Sequence, residues 1–112
     1  MTGYKSGLLA EFWALFYLLR RGYWPCAWRY KTRVGEIDLI VRRGRMLVFI
    51  EVKYRGADAD ALYALQPRQS RRLQRAAMYF LSRHAWAQKM ALRFDLVAVS
   101  RRGHVQHLDN VV

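Results

Sequence analysis

The sequence predicts an α/β domain, a mixed central sheet flanked by helices in the order α-β-β-β-α-β, on three observations. Apolar residues recur at helical spacing near the start (Leu8, Phe12, Leu15, Leu19) and a second periodic stretch follows Pro67. Two runs rich in Val, Ile and Leu, "VGEIDLIVRR" and "RMLVFIEVKYR", flank Arg43-Gly44-Arg45, a hairpin signal. A further strand-like run, "LRFDLVAVS", comes after the second helix, an alternation that packs helices on a mixed sheet. The 112 residues fit one domain, residues 1–112, and 54% apolar content is enough for a core without staples.

Taken in order, residues 6–21 read as the first helix, with Ser6 placed to cap it and Gly22 to end it. "YWPCAWRYK" reads as extended, and Pro25 suits an edge strand. The hairpin follows, then "GADADALYAL", a polar loop. Pro67 suits the first turn of a helix reaching about residue 87. "HVQHLDNVV" is a short last strand or tail. Trp24, Trp28 and Trp86 are expected in the core. Trp13 lies opposite the leucine arc with Tyr17 and is expected to mark a protein–protein contact.

The charge is lopsided: 20 Lys and Arg against 8 Asp and Glu, a formal net charge of +12. No fold needs that excess, and it concentrates polyanions around the molecule. The expected partner is therefore nucleic acid, DNA in the first place. "LLAEFWALFYLL" is too short to span a bilayer and contains Glu11. Its flanks also lack a signal peptide's pattern, so the expected location is the cytoplasm, without membrane association. The single cysteine, Cys26, excludes an internal disulfide, and its apolar context suits a small buried side chain. His104 and His107 lack further ligands for zinc.

The strands raise the functional question, because Glu36, Asp38, Glu51 and Lys53 interrupt their apolar pattern. Strand side chains alternate, so Glu36 and Asp38 share one face, as do Glu51 and Lys53 on the next strand. Across a hairpin the two pairs can meet, while Ile37 and Leu39, like Ile50 and Val52, turn the other way. Facing carboxylates repel unless something offsets them. Lys53 offsets part, and a divalent cation would offset the rest; hard oxygen ligands suit Mg²⁺ or Mn²⁺. On a helical wheel Glu11 falls between Leu15 and Leu18, so it should face the sheet.

The run from Glu11 through "GYW", "GEIDLI", "LVFIEVKYR" and "RFDLVAV" resembles the YraN-like family of small uncharacterised bacterial proteins. That family is classed with the restriction-endonuclease-like PD-(D/E)XK fold, alongside archaeal Holliday-junction resolvases. The resemblance covers roughly residues 7–100 and implies the same α-β-β-β-α-β core. It implies that Asp38 binds metal, that Glu51 and Lys53 are the acid and lysine of the motif, and that Glu11 is the first-helix glutamate. It makes the Val52 carbonyl a further metal ligand. Gln69 stands where many relatives carry lysine and, with Glu36, is an accessory candidate.

The chemistry implied is metal-dependent cleavage of phosphodiester bonds in branched or duplex DNA. Asp38 and Glu51 would hold one cation, with room for a second toward Glu11 or Glu36. For Lys53 an electrostatic role suits better than that of a general base. Arg68, Arg71, Arg72 and Arg75 fall at i, i+3, i+4, i+7, one single-signed helix face for phosphate contact. Arg42, Arg43 and Arg45 at the hairpin tip form a second basic patch. Neither has a base-reading pattern, so binding by charge and shape is expected. Two other readings stand beside this one: a non-catalytic nucleic-acid-binding module, or a dimeric interaction adaptor. A homodimer would also suit a duplex or branched substrate cut twice.

Overall fold

A computed structural model describes residues 3–55 and 66–112, the side chains of residues 3–6 and Arg55 excepted. Helix α1 (Gly3–Arg20) leads into strands β1 (Trp24–Thr32), β2 (Gly35–Arg43) and β3 (Met46–Arg55). Helix α2 (Pro67–Arg83), a single 3₁₀ turn (Ala85–Ala87), and strands β4 (Ala91–Ser100) and β5 (Val105–Leu108) follow. The five strands lie side by side in sequence order. β3 and β4 are parallel and the other neighbours antiparallel, so the sheet is mixed, as expected. A parallel pair needs a long crossover, and α2 lies within it. "GADADALYAL", residues 56–65, falls outside the described residues, and Gln66 after it caps α2.

Each helix covers one face of the sheet. Ala10, Ala14 and Leu18 of α1 pack on Leu39, Val41, Val48, Ile50, Val97 and Val99. Leu73, Ala76, Ala77 and Phe80 of α2 pack on Ile37, Ile40, Leu47 and Phe49. Strand alternation explains the split, since odd and even positions of β3 serve opposite layers. β1 is an edge strand, which tolerates Pro25. The hairpin turns through Gly44 and Arg45, with Arg43 paired to Met46, and Gly44 supplies the φ of 60° that a two-residue turn requires. Gly22, at φ 88°, closes α1 as the sequence predicts: the N–H groups of Gly22 and Tyr23 donate to the carbonyls of Leu19 and Leu18.

Three expectations are corrected. Helix α1 begins at Gly3, so Ser6 lies inside it and does not cap it, and α2 ends at Arg83, before the 3₁₀ turn. The buried stripe of α1 is not the leucine arc. Phe12 and Leu19 are exposed, and the small residues Ala10 and Ala14 meet the sheet with Leu18 because they let the helix approach closely. Trp24, Trp28 and Trp86 are not core residues, and Trp24 is 68% exposed. Trp28 lies against Phe12, and Trp86 packs edge-on to Phe80 from outside.

Asp95 on β4 is fully buried and ties the last strand down. It accepts from Arg93 Nε (2.9 Å) and from the Asn110 N–H (3.0 Å), and pairs with His107 Nε2 (2.6 Å). These bonds hold its carboxyl below the usual range although burial alone would raise it. Among the described residues no helix is long and apolar enough to cross a membrane.

Candidate active site

β2 and β3 are paired from Arg43↔Met46 to Leu39↔Ile50. The next bond toward the open end is not between backbones: the Val52 N–H donates to Asp38 Oδ2 at 2.8 Å. The hairpin therefore splays where its carboxylates begin. The expectation that Ile37 and Leu39 share a face is overturned. Ile37 joins the α2 layer with Tyr30, whereas Leu39 joins the α1 layer. The pleat reverses across Asp38. On β1 the residue between the pairs Trp28↔Leu39 and Tyr30↔Ile37 is Arg29, which takes a left-handed φ of 54°. Such a conformation is unfavourable for a residue with a Cβ and persists only where neighbours enforce it.

The reversal leaves Asp38 between the two layers. Glu36, Asp38, Glu51 and Lys53 line a cleft of about 260 Å³ together with Gln69, Arg72 and Leu73 of α2. Lys53 Nζ is 3.1 Å from Glu51 Oε2. Asp38 is pushed up to about 7, first by burial, then by the Glu51 charge and, more weakly, by Glu11. The Val52 N–H and the Lys53 ammonium act against the rise. A carboxylate so disfavoured is one that a bound cation would relieve.

Glu11 arrives from α1, 7% exposed, and faces the sheet as expected. Its Oε1 accepts from Trp28 Nε1 at 2.6 Å and from Arg29 Nε at 2.7 Å. Sequence reasoning missed both donors. Neither could be found from spacing, because both contacts cross from α1 to β1, 17 and 18 residues along the chain.

Helix α2 supplies the other wall. An added Cβ at Gly35 would lie 2.5 Å from the Arg72 carbonyl oxygen, so only glycine lets β2 and α2 come this close. Gln69 Oε1 accepts the Gln66 N–H at 3.2 Å, closing the helix start in the manner of a capping box, so that side chain has a structural task in the cleft. Arg68, Arg71, Arg72 and Arg75 are all exposed on one face, and Arg72 borders the cleft. The hairpin tip lies elsewhere. Arg43 is five residues along β2 from Asp38, ~17 Å at the usual strand rise. Arg43 donates to the Arg21 carbonyl at 3.1 Å and covers the Tyr23 ring, while Arg42 lies over Trp86. The structure thus brings Glu36, Asp38, Glu51, Lys53, Gln69 and Arg72 together and leaves Arg42, Arg43 and Arg45 apart.

Among the described residues no group of three or more His, Cys, Asp or Glu side chains is arranged as a metal-binding cluster. Two carboxylates nevertheless fit a hard divalent cation such as Mg²⁺, which keeps several waters and takes substrate phosphate as a ligand. Cys26 does not belong to the site, and burial pushes its thiol up, away from the reactive thiolate.

A family model described as "Uncharacterised protein family UPF0102" matches residues 10–99. A UPF0102 protein of Parvibaculum lavamentivorans is 47% identical over 108 residues, 96% of this chain and 81% of that protein. One from Rhodopseudomonas palustris is 44% identical over 96% of this chain and 83% of its own. One from Agrobacterium fabrum is 45% identical over 92% and 84%.

Proposed function

The chain belongs to the UPF0102 family, the YraN-like family that its motifs resemble, and on that premise we propose that it is a metal-dependent nuclease cleaving phosphodiester bonds in DNA. One observation carries the reading. Asp38, Glu51 and Lys53 share a cleft with Arg72, and the Asp38 carboxyl is raised to about 7 by burial and by its acidic neighbours. Carboxylates kept for stability would be paired away from one another.

Asp38, Glu51 and the Val52 carbonyl would hold Mg²⁺ or Mn²⁺, which when bound polarises a phosphate and makes a bound water more acidic. Arg72, with Arg68, Arg71 and Arg75 along the same helix face, draws the phosphate backbone to the cleft mouth. Lys53 stabilises the negative charge that builds on the non-bridging oxygens. Glu11 is a positioning residue: it holds Trp28 and Arg29 and adds its charge behind Asp38. Glu36 lines the same cleft as an accessory acid.

Purified protein incubated with duplex, branched and single-stranded DNA and with RNA, in Mg²⁺ or Mn²⁺, tests this. Cutting should need the metal and fall at least 100-fold in Asp38→Asn and Glu51→Gln. The small carboxylate count favours one other reading, a nucleic-acid-binding module without chemistry. Tight binding with no cutting of any substrate would select it.

A further inference from the structure

The outer face of α1 is apolar and unpartnered. Leu9, Phe12, Trp13, Phe16 and Leu19 are each between 41% and 54% exposed. At 100° per residue they fall on one arc of about 120°, opposite the Ala10, Ala14 and Leu18 stripe that meets the sheet. Large exposed patches of this kind mark contact surfaces. Beside these projecting side chains are two hollows. One, of about 560 Å³, lies between Trp13, Phe16 and Tyr17, the arginines Arg20 and Arg21, and the start of β5. The other, of about 160 Å³, lies between Leu9, Trp13, Tyr54 and Arg101.

Charge decides the occupant. From Gly7 to Leu19 the only ionisable acid or base among Asp, Glu, Lys and Arg is Glu11, which is buried and ion-paired with Arg29. In a chain of net charge +12, this is a stretch without an outward-facing charge. Nucleic acid or an acidic membrane surface would need cations across the face, whereas Arg20, Arg21 and Arg101 stand at its rim, beside the two hollows. A second copy is different: two strongly cationic molecules can meet here without opposing their charges. Interface cores are likewise depleted in charge and rich in aromatics.

We propose that α1 is the contact surface of a homodimer, in which the helices of two copies pack antiparallel about a two-fold axis. The face is self-complementary in the way such an axis requires. It runs from Leu9 to Leu19 with its midpoint level with residue 14, so Leu9 of one copy meets the partner's Leu19 and Phe12 the partner's Phe16, and side chains on each enter the hollows of the other. At 1.5 Å per residue the 18-residue helix is ~27 Å long. A standard interface of about 800 Å² per partner is roughly 32 Å across. The contact would also cover Phe12, whose ring is 5.1 Å from that of Trp28, a donor to Glu11. Dimerisation would then exclude water from the side chains that hold Glu11 in place.

Sedimentation equilibrium over a range of concentrations, with single-residue variants, tests the proposal. Wild type should have twice the 13.3 kDa chain mass at micromolar concentration. Phe16→Asp should raise the dimer dissociation constant at least tenfold while keeping the wild-type circular dichroism spectrum. Leu9→Glu should do the same, and decides the matter if Phe16→Asp fails to fold. A monomer at every concentration, open-ended assembly, or a dimer unaffected by the folded variants would overturn the proposal. So would a monomer that sediments with acidic phospholipid vesicles, since the face would then be a lipid contact.

Discussion

At Asp38 burial and two acidic neighbours oppose ionisation, while one backbone N–H and one ammonium favour it. The consequence for stability has a definite sign. The folded state keeps the Asp38 proton up to about pH 7, whereas the unfolded chain loses it near the ordinary aspartate value of 3.8. Between those values the folded state binds more protons, so this group lowers stability as pH rises from 4 to 7, and the loss persists above 7. Full expression of the shift is worth on the order of 4 kcal/mol. Asp38→Asn keeps an oxygen for the Val52 N–H and removes the charge. Without metal it should match wild type near pH 4.5 and melt several degrees higher at pH 8, as measured by thermal denaturation across that range. A variant that melts lower at pH 8 would make the carboxylate a structural partner. The same group gives metal binding a pH dependence: Mn²⁺ affinity, read by calorimetry, should rise from pH 5.5 to 7.5 as the Asp38 proton ceases to compete, and vanish in the double variant Asp38→Ala, Glu51→Ala.

Among the elements, strand order and the helix–strand alternation are legible because β2 and β3 are rich in Val, Ile and Leu and joined at Gly44. The face of α1 is not legible in the same way. Bulky side chains line its outer arc as densely as a core stripe, and periodicity cannot tell which arc the sheet receives. The close approach decides, and it selects Ala10 and Ala14. The candidate cleft is legible as a set of acids on two strands, but its geometry is not. The reversal across Asp38 depends on the left-handed Arg29, where the sequence has neither Gly nor Asn to signal it. Gly35 is the converse case, a visible glycine whose reason is the Arg72 backbone over it. Since backbone cannot yield as a flexible side chain can, Gly35→Ala should destabilise by ~1–3 kcal/mol. It should also push α2 away from the cleft. Denaturant unfolding checks the first effect, and a stability within about 0.5 kcal/mol of wild type would show that the two elements separate freely.

Across the whole molecule, the layers divide the work that the proposals assign. α2 borders the cleft on one side of the sheet, and α1 presents an uncharged face on the other. The net charge of +12 is plain from composition, but its useful part depends on placement. Under the proposed function, a phosphate bound in the cleft would lie beside Arg72, and its neighbours along the backbone would run past the other arginines of that helix face. The hairpin-tip arginines stand ~13 Å or more away along the strand, and two of them already brace Tyr23 and Trp86. Each phosphate contact adds about 0.9 to the slope of log affinity against log salt on duplex DNA. Changing Arg68 and Arg72 together to alanine should therefore flatten that slope by about two units. Changing Arg42 and Arg45 together should leave it within about half a unit of wild type. Affinity titrations from 50 to 200 mM salt, on one duplex without metal, measure both. The opposite ranking would move the nucleic acid to the hairpin end of the sheet, and with it the substrate away from Asp38 and Glu51.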